Sequence, residues 1–186
     1  MSRTYRQADK AELKDYTITG YATTWDKYKL FENEYVDYFE QISKKAFENA
    51  DMSDVILQFN HSSSVFARQS NGTLQLEVDD VGLKVTADLS KTTKSRQMYE
   101  DVKERMITEM SWAFTVDSDS YNSETRTRHI DRVRKVFDVS LVDRGANNFT
   151  SVTARSAKDA REFFEGAIES QKRSDLKLSK AQTEYL

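Results

Sequence analysis

Cysteine is absent from the sequence, and histidine occurs only at positions 61 and 129. The first absence excludes disulfide bonds, thiolate metal sites and a cysteine nucleophile. A zinc site normally takes three protein ligands. His61, His129 and a carboxylate would supply that number, but the sequence has no HExxH-like pair. We therefore predict a protein that holds neither a metal ion nor another cofactor.

Several other function classes lack their usual sequence features. Neither GxGxxG nor GxxxxGK[ST] occurs, so no nucleotide-binding loop is predicted. The net charge is −3 and there is no long basic run, which disfavours nucleic acid as a partner. No apolar run is long enough for a transmembrane helix, and residues 1–15 lack the apolar core of a signal peptide. We expect a cytosolic protein with no membrane partner.

Proline is also absent, and glycine occurs only five times. These residues mark most turns in a sequence, so the boundaries of the predicted elements are indistinct. Apolar and polar residues nevertheless alternate through most of the first 145 residues, which is typical of β-strands. The dipeptide Asn71-Gly72 predicts a hairpin turn. The alternation predicts strands at 15–22, 34–40, 54–59, 73–78, 81–89, 108–116 and 130–142.

Three segments have helical spacing, namely 42–49, 94–106 and 156–172. The last begins with a capping-box-like pair and carries an apolar stripe. We predict a mainly β fold with helices (α+β), in which an antiparallel barrel or sandwich is decorated by helices. The expected organisation is a β domain at 1–155, an amphipathic helix at 156–172 that packs on the domain or on a partner, and a polar, flexible tail at 173–186.

Two residues stand where a nucleophilic hydrolase would need them. A serine nucleophile requires a histidine to take its proton and a third group to orient that histidine. His61 directly follows the apolar strand at 54–59, at a loop mouth. Ser111 lies within a strand, on the side away from Met110 and Trp112. On these residues alone, a solvated strand serine and a hydrogen-bonded surface histidine remain ordinary explanations.

Six short segments between residues 18 and 147 carry further information through their order. They resemble the motifs of the prohead protease family of tailed phages, which run I-x-G-Y-A, E-x-I-x-x-G-A-F, an apolar strand ending in N-H, G-L-x-V, M-S-x-x-F and E-V-S-x-V…A-N. The matching segments are Ile18–Ala22, Glu40–Phe47, Gln58–His61, Val81–Val85, Met110–Phe114 and Phe137–Asn147. The resemblance covers roughly residues 15–150, and it implies a β-barrel wrapped by a few α-helices, similar in fold to herpesvirus assemblin.

The resemblance also implies roles for single residues. His61 would be the general base and Ser111 the nucleophile. Asp138 would be the third member of the triad, because it occupies the family's acidic position before V-S, where glutamate is commoner. His129 is the alternative third member, since assemblin-type enzymes use a second histidine. Asp143 is a weaker alternative.

A tight turn follows the strand of Asp138. By the same resemblance, the backbone N–H of Arg144 or Gly145 would stabilise the oxyanion of the tetrahedral intermediate. The alternative for Gly145 is an ordinary turn position that needs a glycine. The sequence departs from the family pattern at Lys45, where glycine is usual, and at Arg144, where proline is common.

The implied activity is that of a serine endopeptidase. It would cleave the scaffold segment of the major capsid protein during prohead maturation, inside the immature capsid in the host cytoplasm. The protease itself would be a second substrate. The implied partners are the major capsid protein with its scaffold segment, and further copies of the same chain, for example in a dimer. The alternative is a non-enzymatic capsid assembly or scaffolding protein that retains the protease fold.

Overall fold

The computed structural model describes residues 16–32, 37–62, 64–143 and 166. The described part is mainly β, with 54% of its residues in strands and one α-helix, which confirms the predicted class. In chain order the elements are β1 (Thr17–Thr24), β2 (Tyr28–Glu32), β3 (Asp37–Ile42), β4 (Ile56–Phe59), β5 (Ala67–Arg68), β6 (Leu74–Val78), β7 (Gly82–Asp88), α1 (Thr93–Lys103), β8 (Glu109–Asn122) and β9 (Thr127–Val142).

The smaller sheet contains three strands in the order β1-β7-β6, and both of its pairings are antiparallel. Alternation along β7 places Leu83, Val85 and Ala87 on one face, and all three are fully buried. Helix α1 begins after Thr92, whose side chain accepts a hydrogen bond from the backbone N–H of Ser95. The predicted helix at 94–106 is thereby confirmed, with its end at Lys103.

The larger sheet is built around β9. Strand β8 pairs antiparallel with β9 over its whole length. Strands β3 and β4 pair parallel with opposite ends of β9, at residues 127–130 and 138–141. Since β8 occupies one edge of β9, β3 and β4 share the other. The prediction of an antiparallel sheet is therefore wrong for these two pairings, because the chain reaches β9 from β4 by a long crossover through the smaller sheet and α1.

Three local predictions need correction. Residues 44–49 form turns instead of a helix, closed by backbone bonds such as Ala46 N to the oxygen of Ser43. The short strands β2 and β5 were not predicted. The turn at Asn71-Gly72 is present, with Gly72 in the left-handed region at φ 75°. Its flanking strands, β5 and β6, nevertheless belong to different sheets, so the turn connects the two sheets and is not a simple hairpin.

The two sheets share one apolar core. An aromatic cluster of Trp25, Phe47, Trp112 and Phe114 lies within it, and the rings of Trp112 and Phe114 stack at 3.7 Å between centroids. The described strands form two separate hydrogen-bonded sheets, so a closed assemblin-like barrel remains a prediction. In the described ranges, no helix has the length and apolar character needed to span a membrane. The predicted helix at 156–172, the tail and the domain boundary at 155 lie outside the described residues, apart from Gly166.

Candidate active site

The side chains of interest lie where β4, β9 and β8 run next to one another. Ser140 of β9 is paired with Gln58 of β4 on one side and with Ser111 of β8 on the other. Asp138 lies opposite Ala113 in the same way. Residues that face each other across a ladder project to the same side of a sheet. Ser111, Asp138 and Ser140 therefore share one face.

A β-bulge at Phe137 gives Asp138 this orientation. Ala113 pairs with Asp138 but Phe114 pairs with Val136, so Phe137 is an extra residue on β9. Val136 and Val139 can consequently both face the core, although they lie an odd number of positions apart, and both are fully buried. Such bulges re-aim side chains next to functional sites. Here the bulge turns Asp138 to the face opposite the core, beside the 45% exposed Phe137.

His61 reaches this face through a strained turn. Strand β4 ends at Phe59, and both Asn60 and His61 have φ angles of 50°, in the left-handed region that non-glycine residues rarely adopt. The turn is fastened to the end of β9. Asn60 N donates to the oxygen of Leu141 at 2.9 Å, and Asn60 Oδ1 accepts from Asp143 N at 3.3 Å. The chain thus bends back and places the imidazole above β9.

His61 and Asp138 form a buried hydrogen-bonded pair. The distance from His61 Nδ1 to Asp138 Oδ1 is 2.7 Å, and the two side chains are 5% and 8% exposed. A carboxylate oxygen accepts hydrogen bonds, so Nδ1 is the donor in this contact and Nε2 is the other ring nitrogen. Within the described part of the chain, Nε2 is buried and has no hydrogen-bond partner. The pair therefore presents an oriented, unoccupied base.

Ser111 lies next to this pair without bonding to it. Its Cα is about 4.5–5.5 Å from that of Ser140, as expected for directly opposite residues of antiparallel strands, and its side chain is partly buried. Because Nε2 has no partner, no hydrogen bond joins it to Ser111 Oγ. In serine hydrolases, the hydrogen bond between nucleophile and base is often long without substrate and tightens when it binds. The structure thus brings His61 and Asp138 together, with Ser111 on the adjacent strand.

The alternative third members lie elsewhere. His129 pairs with Gln41 and Ser120 near the start of β9, nine positions before Asp138. At the usual rise per residue this separation is roughly 30 Å, so His129 is not brought to His61. Asp143 is exposed just beyond β9. The predicted oxyanion donors, Arg144 and Gly145, lie outside the described residues.

Sequence reasoning assigned no role to Ser140. Its hydroxyl donates to Asp138 Oδ1 at 2.8 Å and accepts from the backbone N–H of His61 at 3.1 Å. The available signal was its spacing, because a residue two positions after Asp138 projects from the same side of a strand. Among the described residues, no group of three or more histidine and carboxylate side chains is arranged to hold a metal ion.

Comparison with known proteins identifies the family to which the chain belongs. The family model of the caudovirus prohead serine protease matches residues 3–163, which is most of the chain. No curated protein matches the chain, and no solved structure does. The match includes His61 in the turn after β4, Ser111 of β8 and Asp138 of β9. The chain therefore belongs to the caudovirus prohead serine protease family.

Proposed function

We propose that this protein is a serine endopeptidase that cleaves the scaffold segment of the major capsid protein during prohead maturation, with Ser111, His61 and Asp138 as its triad. One observation carries the proposal above all others. The ring of His61 is held by Asp138 through Nδ1, while its buried Nε2 is left without a partner. That is the orientation that a general base requires.

The chemistry proceeds in two stages. Ser111 Oγ bonds to the scissile carbonyl carbon while its proton passes to His61 Nε2, and Asp138 stabilises the resulting imidazolium. The tetrahedral intermediate then collapses, the C–N bond breaks, and the imidazolium proton goes to the leaving amine. Water, activated by the same histidine, releases the acyl group from Ser111 as a carboxylic acid. In this proposal the backbone N–H of Arg144 or Gly145 stabilises both tetrahedral oxyanions.

The position of Ser111 supports an extended peptide as the substrate. Strand β8 pairs with β9 along one edge, and no described strand pairs with its other edge. A peptide that adds to that edge would gain main-chain hydrogen bonds and place its carbonyl groups alongside Ser111. A scaffold segment inside a prohead, without a rigid fold of its own at the cleavage site, would suit this mode of binding.

The test uses co-expression with the cognate capsid protein. Ser111→Ala should abolish cleavage of the scaffold segment while assembly of immature shells continues. Ser120→Ala is a matched control, because it makes the same change on β8 near the hairpin end, opposite His129. Undiminished cleavage with Ser111→Ala would favour the alternative, a capsid assembly or scaffolding protein without activity. The missing hydrogen bond between Ser111 and His61 is the observation on which that alternative rests.

Self-cleavage is a separate part of the proposal. The polar segment after residue 172 is the expected site, and copies of the chain within a shell would cut one another or themselves. Mass spectrometry of protein recovered from assembled shells should show a shortened C-terminus for the wild type and a full-length chain for Ser111→Ala. An intact C-terminus in mature wild-type shells would remove self-cleavage from the proposal and leave capsid cleavage standing.

A further inference from the structure

The hydroxyl of Ser140 connects the backbone of His61 to the carboxylate that orients its ring. Ser140 Oγ lies 2.8 Å from Asp138 Oδ1 and 3.1 Å from His61 N. The same oxygen, Oδ1, accepts the 2.7 Å bond from His61 Nδ1. These three contacts close a small ring of hydrogen bonds that joins the turn after β4 to the end of β9.

The direction of each bond follows from the groups involved. A carboxylate can only accept, so the Ser140 hydroxyl donates its single proton to Asp138. The backbone N–H of His61 can only donate, so it fills a lone pair of the same hydroxyl. Ser140 is fully buried, with 0% of its surface exposed. Neither bond has water available to replace it, and a buried group that loses its partner is costly.

The burial of Ser140 also distinguishes it from Ser111, the proposed nucleophile. Its hydroxyl bonds to the carboxylate and to a backbone N–H, and it makes no bond to an imidazole nitrogen. A fully buried oxygen cannot meet a peptide carbonyl. Ser111, opposite it on β8, is only partly buried. The two serines therefore differ in what their environments allow.

We propose that Ser140 is a positioning residue, which fixes Asp138 and the strained turn of His61 relative to each other so that the imidazole keeps its Nδ1–H tautomer. This inference rests on the proposed protease function. Left-handed backbone at two successive non-glycine residues persists only where the surroundings hold it. Ser140 supplies one such hold at His61 and locks the carboxylate that the ring needs.

The decisive experiment is spectroscopic and does not depend on turnover. In the wild type, ¹⁵N–¹H correlation of the imidazole should show His61 protonated at Nδ1 and bare at Nε2 above the pH where the ring is charged. Ser140→Ala should give a mixture of the two tautomers, because the carboxylate is then free to rotate away. With a capsid-derived peptide, kcat should fall by about 10- to 100-fold, as expected for one lost bond to a charged group, while KM stays unchanged.

Two further variants protect the test against a simple folding defect. Ser140→Cys nearly preserves the volume and offers a weaker donor, so its tautomer ratio and kcat should lie between those of the wild type and Ser140→Ala. Ser95→Ala is the matched control. Ser95 is also buried, at 1% exposure, and its hydroxyl donates to the oxygen of Phe66, so its loss should lower stability without changing the tautomer of His61.

The outcomes separate the inference from the function on which it rests. A single unchanged tautomer in Ser140→Ala, with kcat equal to that of the wild type, overturns the positioning role. A mixed tautomer in that variant, combined with a wild type that cleaves nothing inside assembled shells, supports the positioning contacts and overturns the protease proposal instead. A fall in kcat of the same size in Ser95→Ala would assign the effect to stability and also overturn the inference.

Discussion

The two ends of β9 are built alike but hold their buried charges differently. Near its start, β9 pairs with β3, and the buried Arg128 bonds to Glu40 at 3.3 Å and to Asp119 at 2.5 Å. Near its end, β9 pairs with β4, and Asp138 bonds to His61. In both places β9 and the segment of a parallel strand bring polar groups from distant parts of the sequence into one buried cluster, and at the Arg128 end β8 adds Asp119.

The difference lies in what each cluster leaves unpaired. At the Arg128 end, a guanidinium group faces two carboxylates, and Glu40 also accepts a bond from the Tyr28 hydroxyl. At the His61 end, an imidazole faces one carboxylate, and its Nε2 has no partner within the described residues. Buried polar atoms are normally satisfied, so an exception calls for a functional reason. The Arg128 cluster thus joins a cation to two carboxylates, whereas the His61 cluster leaves a buried ring nitrogen open, as the proposed protease function requires.

The largest expected effect comes from making the same substitution in each of the two clusters. Asp138→Asn should lower kcat by roughly 10⁴-fold, because an amide oriented as a donor favours the wrong tautomer of His61. Asp119→Asn makes the same change at the other end of β9. It should leave kcat within about twofold per folded molecule, since Asp119 contacts Arg128 and not the pair of His61 and Asp138. Single-turnover cleavage of the capsid protein measures both. Equal losses in the two variants would erase the proposed distinction.

The second prediction concerns the free energy of unfolding, not the rate of cleavage. Arg128→Met should lower the free energy of unfolding by about 3–5 kcal/mol, because it leaves the buried Glu40 beside Asp119 without the cation between them. Urea denaturation measures the loss, and the double variant Arg128→Met with Glu40→Gln should recover part of it. At a temperature where the variant stays folded, kcat should be unchanged. A loss below about 1 kcal/mol would mean that this buried cluster contributes no more to stability than an exposed ion pair.

The contrast also explains which features were predictable. Alternation identified β8 correctly, with Met110 and Trp112 facing the core and Ser111 opposite, because a strand covered on one face must alternate. The positions of His61 and Asp138 came from family motifs, and the structure places them in contact. Local patterns carry no information on the parallel pairing of β4 with β9, since that pairing joins residues far apart in the sequence, as the 77 positions between the bonded residues His61 and Asp138 show.

Two finer features escaped prediction for related reasons. The bulge at Phe137 breaks the period-two pattern of β9, so simple alternation assigns Val136 and Val139 to opposite faces when both are buried. Asn60 and His61 both adopt the left-handed backbone conformation, and neither is a glycine, so the sequence gives no sign of it. Both irregularities lie beside the proposed site, where local preferences commonly give way to function.

A third prediction concerns the turn that delivers His61. Asn60→Ala should be less stable than Asn60→Gly by roughly 0.5–1 kcal/mol, the left-handed cost for alanine less the extra unfolded-state entropy of glycine. Both variants lose the bond from Asp143 N to Asn60 Oδ1, so the comparison isolates the backbone. Thermal unfolding measures the difference, and kcat should follow the same order. Greater stability of Asn60→Ala would show that the turn relaxes out of the left-handed region.

The smallest effect is expected midway along β9, between the two clusters. Lys135 Nζ lies 2.7 Å from Asp51 Oδ2 on the surface, and this hydrogen bond holds the pKa of Asp51 below its usual value of 3.8. A lowered pKa means that the folded state binds the proton less readily than the unfolded state, so the pair stabilises the fold above pH 3.8 and stops doing so as the pH falls well below it.

Lys135→Met should therefore lower the midpoint of thermal unfolding slightly at pH 7, and the difference from the wild type should shrink as the pH falls below 3.8 and as salt is added. Lys45→Met, at an exposed lysine that forms no ion pair in the described part of the chain, controls for the loss of one positive charge. A difference that persists at low pH would point to packing of the lysine stem against Phe137, whose ring centroid lies 5.8 Å from Nζ.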